Sequence, residues 1–172
     1  MTNLVLQDFT CIEETDEAGW DSPYFVIFVG HPGSSALSDV RTVRKESWDN
    51  NIGSGSVRIP NLTVASGVNS NTLVLVALIE EDVNPDITGS SLAHVQRWMN
   101  AVFGAFGQIG GISLNQLELL VGPEFERALN ANIANDDIVA VHRLGIGKAS
   151  GVLPQMHFWG AGGHYAVRFR ME

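Results

Sequence analysis

Carboxylates are the chemistry this chain concentrates. Glu13, Glu14, Asp16, Glu17 and Asp21 fall within nine residues that hold no basic side chain, and Glu80, Glu81, Asp82 and Asp86 fall within seven. Asp136 and Asp137 form a smaller third cluster. Like charges crowded this way repel, so each segment is either a solvated turn whose carboxylates cap nearby backbone amides or a cradle for a cation. Calcium is the ion that suits it: a hard cation, it takes about six to eight oxygen ligands from flexible loops. Zinc favours nitrogen and sulfur donors, and magnesium demands a tighter octahedron. Glu80 and Asp82 are two apart, which at the end of an extended strand points them the same way. Asp86 can fold back across the Asn84-Pro85 turn to join them.

Strands must position these residues. The first acidic segment lies between two apolar runs, residues 4–12 and 24–30, and reads as a loop joining two strands. Imperfect alternation in the first run leaves room for a bulge. The second run, Tyr24-Phe25-Val26-Ile27-Phe28-Val29, is apolar on both faces, as is Leu73-Val74-Leu75-Val76-Ala77-Leu78-Ile79, which delivers the chain into the second acidic segment. Strands of that kind belong in the middle of a packed structure. Residues 40–45 read as an edge strand, and 57–59, 62–65, 138–141 and 164–170 as further strands. In the last, Tyr165, Val167 and Phe169 should face inward and His164, Ala166, Arg168 and Arg170 outward.

From Ser91 the period changes. Leu92, Val95, Met99, Val102, Phe103 and Phe106 fall at helical spacing. Ser113-Leu114-Asn115-Gln116 has the form of a capping box for a second helix, and Gly122-Pro123 reads as the kink or restart of a third that runs to about residue 133. The predicted fold is therefore mainly β: one domain over 1–172, an antiparallel β-sandwich carrying a helical insertion at about 90–134.

Composition narrows the function classes. Of 172 residues, 45% are hydrophobic, enough for a real core, and the net charge is -9. Eleven of the 19 acidic residues lie in the three clusters; the other eight are outnumbered by ten Lys and Arg, so the acidity is local. Those ten basic residues are dispersed and form no stripe, which argues against a nucleic-acid partner. One cysteine, Cys11, rules out an intrachain disulfide and reads as a small buried hydrophobe. His31, His94, His142, His157 and His164 show no metal spacing and read as structural or surface groups. No nucleophile elbow, P-loop or dinucleotide fingerprint is present, so the chain does not read as an enzyme. The opening residues lack the charged and apolar regions of a signal peptide, which predicts a cytoplasmic protein unless a leaderless route exports it.

The run Asp16-x-x-Gly19-x-Asp21-Ser22-Pro23-Tyr24 entering an apolar strand, with a later apolar strand feeding Glu80-x-Asp82 and Asp86-x-x-Gly89, resembles the two calcium-binding loops of C2 domains. The order Asp-Ser-Pro-Tyr stands where that family has Ser-Asp-Pro-Tyr, and Glu80 stands where it has an aspartate. The resemblance implies a C2-like β-sandwich that binds calcium through Asp16, Glu17, Asp21, Glu80, Asp82 and Asp86. The bound ions would engage anionic lipid headgroups or an acidic protein partner. Trp20, between Gly19 and Asp21, either adds a membrane or sugar contact at the loop tip or folds down over the strand ends.

Other functions stay open on the sequence. A calcium-dependent carbohydrate-binding module would use the metal and Trp20 to hold a sugar. A membrane-active, toxin-like protein would refold 98–117, a stretch without a charged residue, into a bilayer. Its glycines and amides make it too polar for a transmembrane helix, so a helix packed on the sandwich is the expected form. The apolar face of residues 92–106 could also serve an assembly protein as a dimer surface.

Overall fold

The computed structural model describes residues 2–15, 21–33, 38–44, 52–81, 89–133, 136–147 and 150–172. Asp16, Glu17, Trp20, Asp82 and Asp86 lie outside them. Two antiparallel sheets and a pair of helices make three layers. The inner sheet has the order β3 (Asp39–Val43), β2 (Pro23–Gly30), β6 (Leu73–Glu80), β7 (Asp137–Arg143). The outer sheet is centred on β1 (Asn3–Glu13) paired with β10 (Gly163–Met171). β4 (Val57–Arg58) and β5 (Leu62–Ser66) pair with β1, while β8 (Gly151–Val152) and β9 (Met156–Gly160) pair with β10.

Every residue of β2 and β6 is buried. The alternation of a strand explains how. Phe25, Ile27, Val29, Val74, Val76 and Leu78 face the outer sheet and join Leu6, Phe9, Phe158, Tyr165, Val167 and Phe169 in one core. Tyr24, Val26, Phe28, Leu73, Leu75, Ala77 and Ile79 face the other way and form a second core with the helices. The sandwich thus matches the expectation of a mainly β fold, and the two apolar runs are its central strands.

The helices α1 (Gly89–Phe106) and α2 (Leu114–Asn130) connect β6 to β7, which are neighbours in the inner sheet. Val95, Met99 and Phe103 of α1 and Leu117, Val121, Phe125, Ala128 and Leu129 of α2 are buried against that sheet. Phe28 stands between them, its ring 5.5 Å from Phe103 and 6.0 Å from Phe125. The apolar face of residues 92–106 is therefore packed on the inner sheet, with Leu92, Val102 and Phe106 partly buried at its margin. The stretch 98–117 is spread over the end of α1, a turn and the start of α2, and among the described residues no helix is long and apolar enough to cross a membrane. Among the exposed apolar side chains of the helical layer, Ile109, Leu119 and Leu120 line a groove of about 490 Å³.

One sequence expectation is corrected here. Gly122-Pro123 starts no third helix, because α2 runs through it without a break. Proline removes one backbone donor, but the buried face from Leu117 to Leu129 is continuous across it, and each fully buried apolar side chain contributes about 1.5–3 kcal/mol. The capping box itself forms: Gln116 N donates to Ser113 Oγ, and the Gln116 side chain accepts from Ser113 N at 3.0 Å. On β10, His164 and Ala166 face away from the core, as expected, yet both are buried, and the Trp159 ring of β9 stacks on His164. Bulging of β1 is observed, with register shifts between Leu6 and Asp8 and between Cys11 and Glu13.

Glycine marks the tightest approach. A Cβ on Gly160 of β9 would sit 1.9 Å from the Val139 carbonyl oxygen of β7, where the edges of the two sheets meet. Gly104, on the exposed side of α1, has open space around it. Gly160→Ala is therefore expected to cost at least 1–3 kcal/mol, roughly the usual range for overpacking, and Gly104→Ala to stabilise by up to about 1 kcal/mol. Urea denaturation of the two variants, compared with the parent, checks both signs.

Candidate functional site: the acidic pole

The two long acidic segments leave from one end of the inner sheet. Pro23 pairs with Glu80, and Glu80 pairs with Asp137, so the stems of all three acidic clusters stand on adjacent strands. Glu13 and Glu14 reach the same end through β1, because Thr15 is tied to Asp21. Sequence spacing had not determined that these stems meet; strand register does.

Asp21 is 3% exposed and faces the core between the sheets. Its carboxylate accepts from Thr15 N at 3.1 Å, from Thr15 Oγ1 at 2.8 Å and from the Tyr165 hydroxyl. Its backbone exchanges two hydrogen bonds with Ile52. Asp21 thereby clamps the two ends of the segment 16–20 and fastens them to β10. Burial and the neighbouring carboxylate push the Tyr165 hydroxyl far above its ordinary pKa, so it stays a donor. Cys11, opposite Tyr165 in the register, is fully buried as expected, and burial pushes its thiol up to about 11.

Glu80 ends β6 on the same side of the sheet. It is 3% exposed, and its Oε1 accepts from Ser22 N at 2.9 Å. Asp21 and Glu80 thus sit on either side of Ser22, each bonded to a protein donor. Glu81 is buried in an ion pair with Arg44, whose guanidinium also lies 5.8 Å from the centre of the Tyr24 ring. Asp136 accepts from the Tyr24 hydroxyl at 2.7 Å in the second core, and burial with this bond drives the Tyr24 pKa strongly up. Each core therefore ends, at this pole, in a tyrosine that donates to a buried aspartate. At the rim, Glu14 Oε1 accepts from Ser54 N at 2.7 Å.

Of the six carboxylates read from the sequence as metal ligands, Asp21 and Glu80 are brought together, and both brace the stems from inside. Asp16, Glu17, Asp82 and Asp86 belong to the segments these stems bracket and lie outside the described residues, as does Trp20. Among the described residues, no three His, Cys, Asp or Glu side chains gather as a metal-holding group.

Sequence reasoning missed two features. The tyrosine–aspartate pairs join residues more than a hundred positions apart, and no local spacing announces them. A histidine pair was within reach. In the β9–β10 hairpin, Ala161 and Gly162 have φ of 48° and 74°, the two-residue turn that right-twisted strands favour, and it places Trp159 opposite His164 and His157 opposite Ala166. His157 Nδ1 lies 2.9 Å from His164 Nε2.

Comparison with family models, with curated proteins and with solved structures finds no significant match.

Tyr165→Phe and Tyr24→Phe should each lower stability by about 1.5–3 kcal/mol, the range for losing a hydrogen bond to a buried charge. Urea melts measure this. Cys11 should resist iodoacetamide at pH 8 in the native protein and react fully once denaturant unfolds it, because both its burial and its raised pKa suppress the thiolate. Mass spectrometry of the alkylated protein reads the outcome.

Proposed function

We propose that the acidic pole is a calcium-dependent binding surface of a C2-like module, which uses the ion to engage an anionic partner. The observation that carries this reading is the register of Pro23 with Glu80 and of Glu80 with Asp137, which sets the stems of three acidic segments on adjacent strands. A pole with that many carboxylates is strongly negative, and Arg44 on Glu81 is the cationic partner among the described ion pairs there.

The residues divide into two roles in this reading. Asp21 and Glu80 are struts, since their oxygens take hydrogen bonds from Thr15, Tyr165 and Ser22. Asp16, Glu17, Asp82 and Asp86 supply the carboxylates that hold the ion. Calcium, when bound, contributes charge reversal: it turns a surface that repels anions into one that attracts lipid headgroups or a carboxylate on another protein. Trp20 adds apolar contact at the same rim. The rigid stems lower the entropy lost when the loops close on the ion.

The test is a thermal melt in chelator and then across a calcium series, with magnesium as control. At about a hundredfold excess of calcium over its Kd, the melting temperature should rise on the order of 5–10 °C. Asp82→Asn should abolish the rise while leaving the melt in chelator unchanged, and sedimentation with phosphatidylserine vesicles should follow the calcium dependence. A melt that millimolar calcium does not move overturns the proposal.

A further inference from the structure

The outer face of β10 near its first turn is covered by its own hairpin partner. The Trp159 ring stacks on His164, with centroids 3.2 Å apart and planes 16° from parallel. His164 is 6% exposed beneath it, while Trp159 is 61% exposed. His157, one strand over and itself exposed, points Nδ1 at His164 Nε2 across 2.9 Å. An imidazole–imidazole hydrogen bond needs one ring to donate and the other to offer a lone pair. The pair therefore tolerates one added proton, shared between the rings. A second proton removes the acceptor and leaves two cations in contact.

Charged neighbours do little to offset that repulsion. Glu13 of β1 is in register with His164 and is the carboxylate facing it, but it is exposed to solvent. Arg168, further along the same face of β10, is already paired with Asp8 at 2.8 Å. On the other side of β9, His142 of β7 packs on the Phe158 ring, with centroids 5.0 Å apart. The helices pack on β3, β6 and β7, away from this face.

We propose that His157 and His164 are an acid-operated latch: when both are protonated they separate, and Trp159 swings off the face of β10, exposing the strand surface around His164 and Ala166. The first step of the pair is compatible with the closed latch, and the second opens it. Burial, followed by the charge of His157, lowers the pKa of His164 from its ordinary value, with Glu13 opposing. A lowered value means that the folded form binds fewer protons than the unfolded one. The closed form is thus fully stable above the ordinary histidine pKa of about 6.5 and loses stability as the pH falls through it.

Tryptophan emission from pH 8 to pH 4.5, with far-UV circular dichroism in parallel, tests the latch. The intact protein should show an acid transition in emission while its circular dichroism stays native. Trp159→Phe should remove that transition. His157→Gln, which keeps a hydrogen-bonding acceptor but no second charge, should also remove it, because one proton on His164 leaves no pair of cations in contact. The latch is overturned by a flat emission profile, by a transition that survives in Trp159→Phe or in His157→Gln, or by loss of circular dichroism at the same midpoint.

Discussion

An inner sheet that is apolar on both faces cannot stand against water on either. This constraint organises the molecule. β2 and β6 present large hydrophobic side chains alternately to two sides, so the chain must build a cover for each. The six-stranded sheet covers one, and the helical pair covers the other. Only the strand ends can carry charge, and they do. Glu80 and Glu81 follow directly on Ile79, and Asp21 lies two residues before Pro23, where β2 begins.

The central strands were legible in the sequence because burial on both faces leaves an unbroken apolar run, and strand length then separates it from a helix. Both helices were legible from their 3.6-residue period and from Ser113 with Gln116. Less was readable where tertiary packing overrides local preference. Pro123 argues locally for a helix break, yet the face from Leu117 to Leu129 holds the helix straight through it. Alternation puts His164 and Ala166 outward, as found, but does not show that they are buried there, with Trp159 stacked on His164. For the candidate site, the sequence located the acidic segments, and strand register supplied what spacing lacks, namely that their stems are neighbours. It also separated carboxylates that brace the fold from those in the bracketed segments, a distinction residue type cannot make.

Buried aspartates at the pole show how a charged strand end can be stabilising. A desolvated carboxylate is costly unless donors surround it, and here the donors are hydroxyls and amides, most of them from distant parts of the chain: Thr15 and Tyr165 on Asp21, Tyr24 on Asp136, Ser22 on Glu80. Each pair is directional, so it fixes how the sheets end, where apolar packing alone would allow them to slide. A binding surface built on loops gains from such stems, since positional precision at the rim is set by what lies beneath it.

The helical pair joins two strands that lie side by side, a place where two residues of turn would close the sheet. In folding terms, β7 takes its position beside β6 only by closing a long connection, and docking of the helices on Phe28 and its neighbours helps offset the entropy of that closure. Docking of the helical layer and completion of the inner sheet thereby favour one another. Until it happens, β6 is an open hydrophobic edge, and the vulnerable moment of this chain is the interval in which three strands of that sheet wait for the fourth.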